Sequence, residues 1–221
     1  MKKIFGVILL TILMALPFNN VDAQIRNPNN VEYQWETDTT KTNIDLSEIT
    51  LVLPRNSFPT IDYPDFIGQK KGTEKFFKHE PVISVAIDGQ AKAYPLNMLT
   101  MHEISNDTLS GVPILPTYCP LCNSSVVFDR RVTHKGKEYQ LEFEVSGLLR
   151  NSNLILGDKQ TETWWQQLTG TGIVGKLAGV ELEIIPSMVI SVEEFFKASV
   201  ISLLLKVITP SLSTSIPTEA N

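Results

Sequence analysis

Cys119 and Cys122, separated by Pro120 and Leu121, are the two cysteines of a chain of 221 residues. Two thiols at this spacing support three kinds of chemistry. They can cycle between dithiol and disulfide, because the thiolate is the reactive form and a CxxC turn can lower the pKa of one member. They can offer two soft ligands to Cu(I) or to an open zinc site, which then needs a third ligand. They can form an inert staple, although so small a loop constrains the unfolded chain little. Haem attachment is excluded, since Asn123 stands where that motif needs histidine.

The chain holds three histidines, His79, His102 and His134. A helix expected over residues 96–104 places Leu99, His102 and Asn106 on one stripe at i, i+3, i+7. That makes His102 the best third ligand for a metal, or a proton carrier that tunes the thiols. A hydrogen-bonded core histidine is the alternative. His102-Glu103 and Asn106-Asp107 lie just ahead of the cysteines and read either as an acid/base cluster or as caps of a helix and a turn. Arg150-Asn151-Ser152-Asn153 reads as an anion-binding loop or as a simple turn. Trp164-Trp165 reads as core. The chain has no GxSxG, HExxH, P-loop or dinucleotide fingerprint.

Compartment decides what the thiols can do. Lys2-Lys3, an apolar run over residues 4–18 and Val21-Asp22-Ala23 fit a signal peptide over residues 1–23. The expected product is exported to the periplasm or outside, with no stable membrane span after cleavage, and disulfides persist there. A net charge of −5 without a basic cluster argues against a nucleic-acid partner. A small molecule or a thiol is the partner class left.

The elements that must position these residues are mostly strands. Residues 24–57 are polar and read as a flexible lead-in with one apolar knot, Ile49 to Leu53. The β-branched run Val82 to Ile87, the turn Asp88-Gly89 and the return Ala91 to Tyr94 predict a hairpin. Val112 to Tyr118, interrupted by Pro113 and Pro116, reads as an extended edge leading into the cysteines. Ser125 to Phe128 and Tyr139 to Val145 read as strands joined by His134-Lys135-Gly136-Lys137. Residues 147–179 read as loop around a short helix at 161–168, followed by a strand at 180–185 and a helix opening at Ser191. The expected fold is α+β, a single domain dominated by antiparallel strands with a few short helices.

Three segments, AKAYPLNMLTMHEISND, GVPILPTYCPLCNSSVVFDRRV and FEVSGLLRNSNLILGDKQTETWWQQLTGTGIVGKLAG, together resemble the bacterial family known as domain of unknown function 3179. The resemblance covers residues 58–196. It implies that His102, Glu103, Asn106, Asp107, Tyr118, Cys119, Cys122, Ser146, Gly147, Arg150, Ser152, Asn153 and Trp165 are motif positions. Family members include candidate selenoproteins, which favours redox use of the cysteines over copper or zinc binding by Cys119, Cys122 and His102. A small-ligand module with a structural disulfide is the third reading. Met101 and Gly157 stand where the family pattern has aromatics. Residues 197–221 depart from it as an apolar, then Ser/Thr/Pro-rich tail, the expected mark of a frameshift or truncation.

Overall fold

The computed structural model describes residues 24–198 and 201–205; the expected signal peptide and residues 206–221 lie outside them. In chain order the strands are β1 (Ile49–Leu51), β2 (Ile61–Asp62), β3 (Phe66–Gly68), β4 (Pro81–Ile87), β5 (Gln90–Pro95), β6 (Ser105–Leu109), β7 (Val112–Cys119), β8 (Ser124–Asp129), β9 (Arg131–His134), β10 (Lys137–Gln140), β11 (Phe143–Arg150), β12 (Asn153–Asp158), β13 (Trp164–Gln166), β14 (Thr171–Val174), β15 (Ile184–Ile185), β16 (Ser187–Ser191) and β17 (Ile201–Leu205). Three short helices, α1 (Gln69–Lys75), α2 (Leu96–His102) and α3 (Val192–Ala198), join them. The α+β class with mainly antiparallel pairing is as expected.

The strands form three five-stranded sheets and one isolated hairpin, β9–β10. The first sheet runs β16-β4-β5-β17-β3. Its β4–β5 hairpin turns at Asp88 and Gly89, both at positive φ, the twist that a two-residue connection needs. The second sheet runs β15-β8-β7-β6-β2 and ends in the cysteine turn. The third runs β1-β11-β12-β13-β14.

Several elements differ from the sequence reading. β7 is a central strand, paired with β6 on one side and β8 on the other, rather than an edge. Its prolines keep their acceptors in use: the Pro113 carbonyl accepts from the Arg130 N–H at 2.9 Å. Residues 161–168 are not helical, and 147–179 is mostly strand. Trp164 and Trp165 point to opposite faces, each fully buried, Trp164 with Trp35 and Ile155, Trp165 with Phe143 and Leu156. A sheet covered on both faces loses the apolar/polar alternation by which strands are recognised. Asp158 secures the turn ahead of them, accepting from the Thr161 N–H at 2.6 Å and the Trp165 indole at 2.9 Å.

The lead-in is packed rather than loose. Trp35 is 4% exposed and donates to the Ser146 carbonyl at 3.0 Å. The Arg55 guanidinium lies 3.8 Å over the Trp35 ring and pairs with Glu144 and Glu162. Gly157 explains how the indole fits. A Cβ there would meet the Trp35 Cη2 at 2.0 Å, so the absent side chain leaves the space that the indole from the lead-in occupies. The segment after Phe196 also enters the fold. β17 runs parallel to β5 and antiparallel to β3, with Leu204 and Leu205 buried.

Gly157→Ala is therefore expected to destabilise the chain by about 1–3 kcal/mol through overpacking. Thermal unfolding of the double variant with Trp35→Ala tests the cause. The alanine at 157 should then cost less than about 0.5 kcal/mol beyond Trp35→Ala alone.

Candidate functional site

Two hairpin turns meet at the cysteines. The first joins β7 to β8: Cys119 ends one strand, Ser124 begins the other, and the two are register partners. Asn123 takes the positive φ that closes the turn, and the Tyr118 hydroxyl donates to its Oδ1 at 2.9 Å. The second joins β11 to β12, with Arg150 opposite Asn153 and Asn151 and Ser152 both at positive φ. The Arg150 to Asn153 segment is thus a turn, as one of its two readings held.

The second turn brings Asn153 to Cys122. Its Nδ2 lies 3.2 Å from the Cys122 sulfur and 2.8 Å from the Gln167 Oε1. The amide cannot be flipped. Its Oδ1 accepts from the Leu168 backbone N–H at 3.1 Å and from the Gln166 Nε2 at 2.5 Å, and a backbone N–H can only donate. An N–H donor therefore faces Cys122. Ser124 Oγ lies 3.0 Å from the same sulfur and can give its proton either to it or to Gln167 Oε1 at 2.9 Å. Gln167, fully buried, is itself held by donation to Thr117 Oγ1 at 3.0 Å.

The two thiols differ in surroundings. Cys122 is exposed, whereas Cys119 is 1% exposed and close to the Ser152 carbonyl at 3.9 Å. Both are free; the Cys119 thiol is directed at the Ser152 carbonyl, and the Cys122 sulfur lies 4.0 Å from the Cys119 carbonyl. Burial raises the Cys119 pKa, and the neighbouring Cys122 adds to that. Partial burial also works against the Cys122 thiolate. The neighbouring Cys119 and donation from Ser124 and Asn153 outweigh it and leave the Cys122 pKa below its ordinary value. Arg150 stands one residue further back, donating to Gln166 Oε1 at 3.3 Å while paired with Glu48 at 2.6 Å.

Other expected site residues serve elsewhere. The His102 Nδ1 donates to the Pro59 carbonyl at 2.6 Å, which ties that segment to α2. Among the described residues, no three His, Cys, Asp or Glu side chains converge as a metal site requires, so the trio Cys119, Cys122 and His102 is not assembled. Asn106 does not continue the stripe of α2 but lies in β6. There it exchanges hydrogen bonds with the backbone of Phe143, at 2.8 and 2.9 Å, and donates to Asp62. Asp107 accepts from Lys92 at 2.7 Å and from the buried Tyr94 hydroxyl at 2.5 Å. Ser146 bonds the Ile155 carbonyl and the Leu148 N–H at an irregularity of β11. Trp165 is core.

Glu103 stands apart. It follows α2 with φ 59° and ψ −32°, outside the ordinary regions for a side-chain-bearing residue. Desolvation pushes its carboxyl up to about 7.

The sequence reading missed Ser124, Gln166, Gln167 and Thr117. Adjacent glutamines directly after two core tryptophans were the available signal, because an amide buried in a strand needs partners. The family model described as a protein of unknown function, DUF3179, matches residues 55–212. The chain belongs to this family. The match runs past Phe196 and so includes β17. No curated protein and no solved structure matches the chain. Among the described residues of this DUF3179 protein, no helix is long and apolar enough to cross a membrane.

Two outcomes are expected. Asn153→Asp keeps the acceptor toward Leu168 but replaces the donor at Cys122 with a carboxylate oxygen. Alkylation of Cys122 at pH 7, followed by mass spectrometry, should slow by about tenfold or more. For Glu103, a folded-state pKa above the unfolded one means that the folded chain favours the acid form. The stability this contributes is present below about 4.5 and lost as pH rises through about 7. It amounts to at most about 3 kcal/mol, reduced by the group's partial exposure. Denaturant unfolding across that range should show the loss in the native chain and not in Glu103→Gln.

Proposed function

We infer that this DUF3179 protein performs thiol–disulfide exchange at Cys119 and Cys122, in an exported compartment. The observation that carries the reading is the fixed Asn153 amide. A donor locked onto an exposed sulfur, with a second thiol buried behind it, favours a nucleophile and a resolving partner over an inert pair.

The roles follow from access. The Cys122 thiolate attacks one sulfur of a substrate disulfide. A Cys122–substrate disulfide forms and the other substrate sulfur leaves as thiolate. Cys119 gives up its proton, attacks the Cys122 sulfur and releases the second substrate thiolate. The product is a Cys119–Cys122 disulfide, and the substrate has gained two electrons. The reverse sequence oxidises a dithiol, and the reduction potential decides which direction runs. Copper or zinc binding receives less support, because among the described residues no third His, Asp or Glu side chain joins the two cysteines in a group that could hold a metal.

Equilibration in glutathione buffers with alkylation trapping should place the pair between about −120 and −230 mV. A value below about −300 mV would mark a structural disulfide instead. With a model disulfide, Cys119→Ser should accumulate a mixed disulfide at Cys122, and Cys122→Ser should form none. Equal trapping by both variants would contradict the assigned roles.

A further inference from the structure

A cavity of about 250 Å³ lies beside the cysteine turn. Its wall is mainly aliphatic and aromatic, from Leu53, Phe58, Leu148 and Leu154, with Pro120 and Leu121 of the turn on one side. Glu103 is the one ionisable residue in that lining.

The Glu103 carboxyl has no hydrogen bond or ion pair among the described residues. Its backbone is fully committed. The N–H donates to Leu99 at 2.7 Å, and the carbonyl accepts from the Tyr118 N–H at 2.8 Å. The residue is held in its unusual conformation from both sides, which fixes where the side chain starts. A partly buried carboxyl facing an apolar wall loses hydration without a replacement. An unusual backbone conformation and an unpartnered carboxyl at one cavity are grounds for asking what ligand it takes.

The wall chemistry limits the occupant. A carboxylate or phosphate would find no basic residue among the lining groups, and a sugar would find too few polar ones. An apolar body satisfies the leucines, and one cationic group satisfies Glu103. We propose that this cavity binds a small primary amine with an alkyl body, its ammonium paired with Glu103 and its chain packed against Leu148, Leu154 and the Pro120-Leu121 side of the cysteine turn. The site stands independently of thiol exchange, although its occupant would touch the loop that carries Cys122.

Calorimetric titration of the full chain with n-hexylamine, and with hexan-1-ol as the uncharged control, tests this. Both ligands fit the apolar wall, and only the amine can pair with Glu103. At pH 8 the amine should bind about tenfold or more tightly than the alcohol. The preference should shrink at pH 6, where Glu103 is mostly protonated while the ammonium keeps its charge. Glu103→Gln, close to the acid form in shape, should bind both ligands alike at either pH and retain alcohol binding. Cys122→Ser should bind as the native chain does. Equal affinity for amine and alcohol in the native chain, a preference that survives in Glu103→Gln, or no binding of either ligand would overturn the proposal.

Discussion

The backbone N–H of Leu168 determines which way Asn153 faces, and the chemistry of Cys122 depends on that choice. A backbone donor permits only an oxygen opposite it, so the amide nitrogen must face the sulfur. The same nitrogen reaches Gln167, which is anchored on Thr117 of β7. One buried amide therefore couples the β12–β13 region of the third sheet to the β7–β8 turn of the second. The site is a junction of two sheets rather than a feature of either alone.

That junction tolerates little displacement, and the surrounding core holds it. Trp165 packs on Phe143 edge to face, with Leu156 and Leu177 beside them, beneath the strands that lead to Asn153 and Gln167. On the other face, Trp164 stands against Trp35 from the lead-in. The lead-in and the Gly157 opening thus support the same strands from behind. Strands carry Thr117, Ser124, Asn153 and Gln166, and Gln167 follows β13 directly, so the amide network is anchored on regular backbone on both sides.

The fold class and the long hairpins were legible because β-branched runs and Asp-Gly are local signals. The cysteine turn was legible in its residues, and the Arg150 to Asn153 turn as a turn. Strands β12 to β14 were not, because Trp164 and Trp165 are buried on opposite faces and erase the period-two pattern. His102 shows another limit. Its position on the helix was close to expectation, but a carbonyl from Pro59, 43 residues earlier in the chain, claimed it. The partnership of Gln167 with Ser124 spans a similar separation, and no spacing rule could join them.

Thiol exchange at this site requires a Cys122 thiolate stabilised by donors while Cys119 stays protonated behind it. Thiolate absorbance of the fully reduced chain, followed as pH rises, measures this directly. The expected curve has one thiolate forming below the ordinary value of about 8.5 and a second above it. The lower step should vanish in Cys122→Ser and persist in Cys119→Ser. A curve in which both thiols ionise at or above about 8.5, or a lower step that survives in Cys122→Ser, would contradict the account.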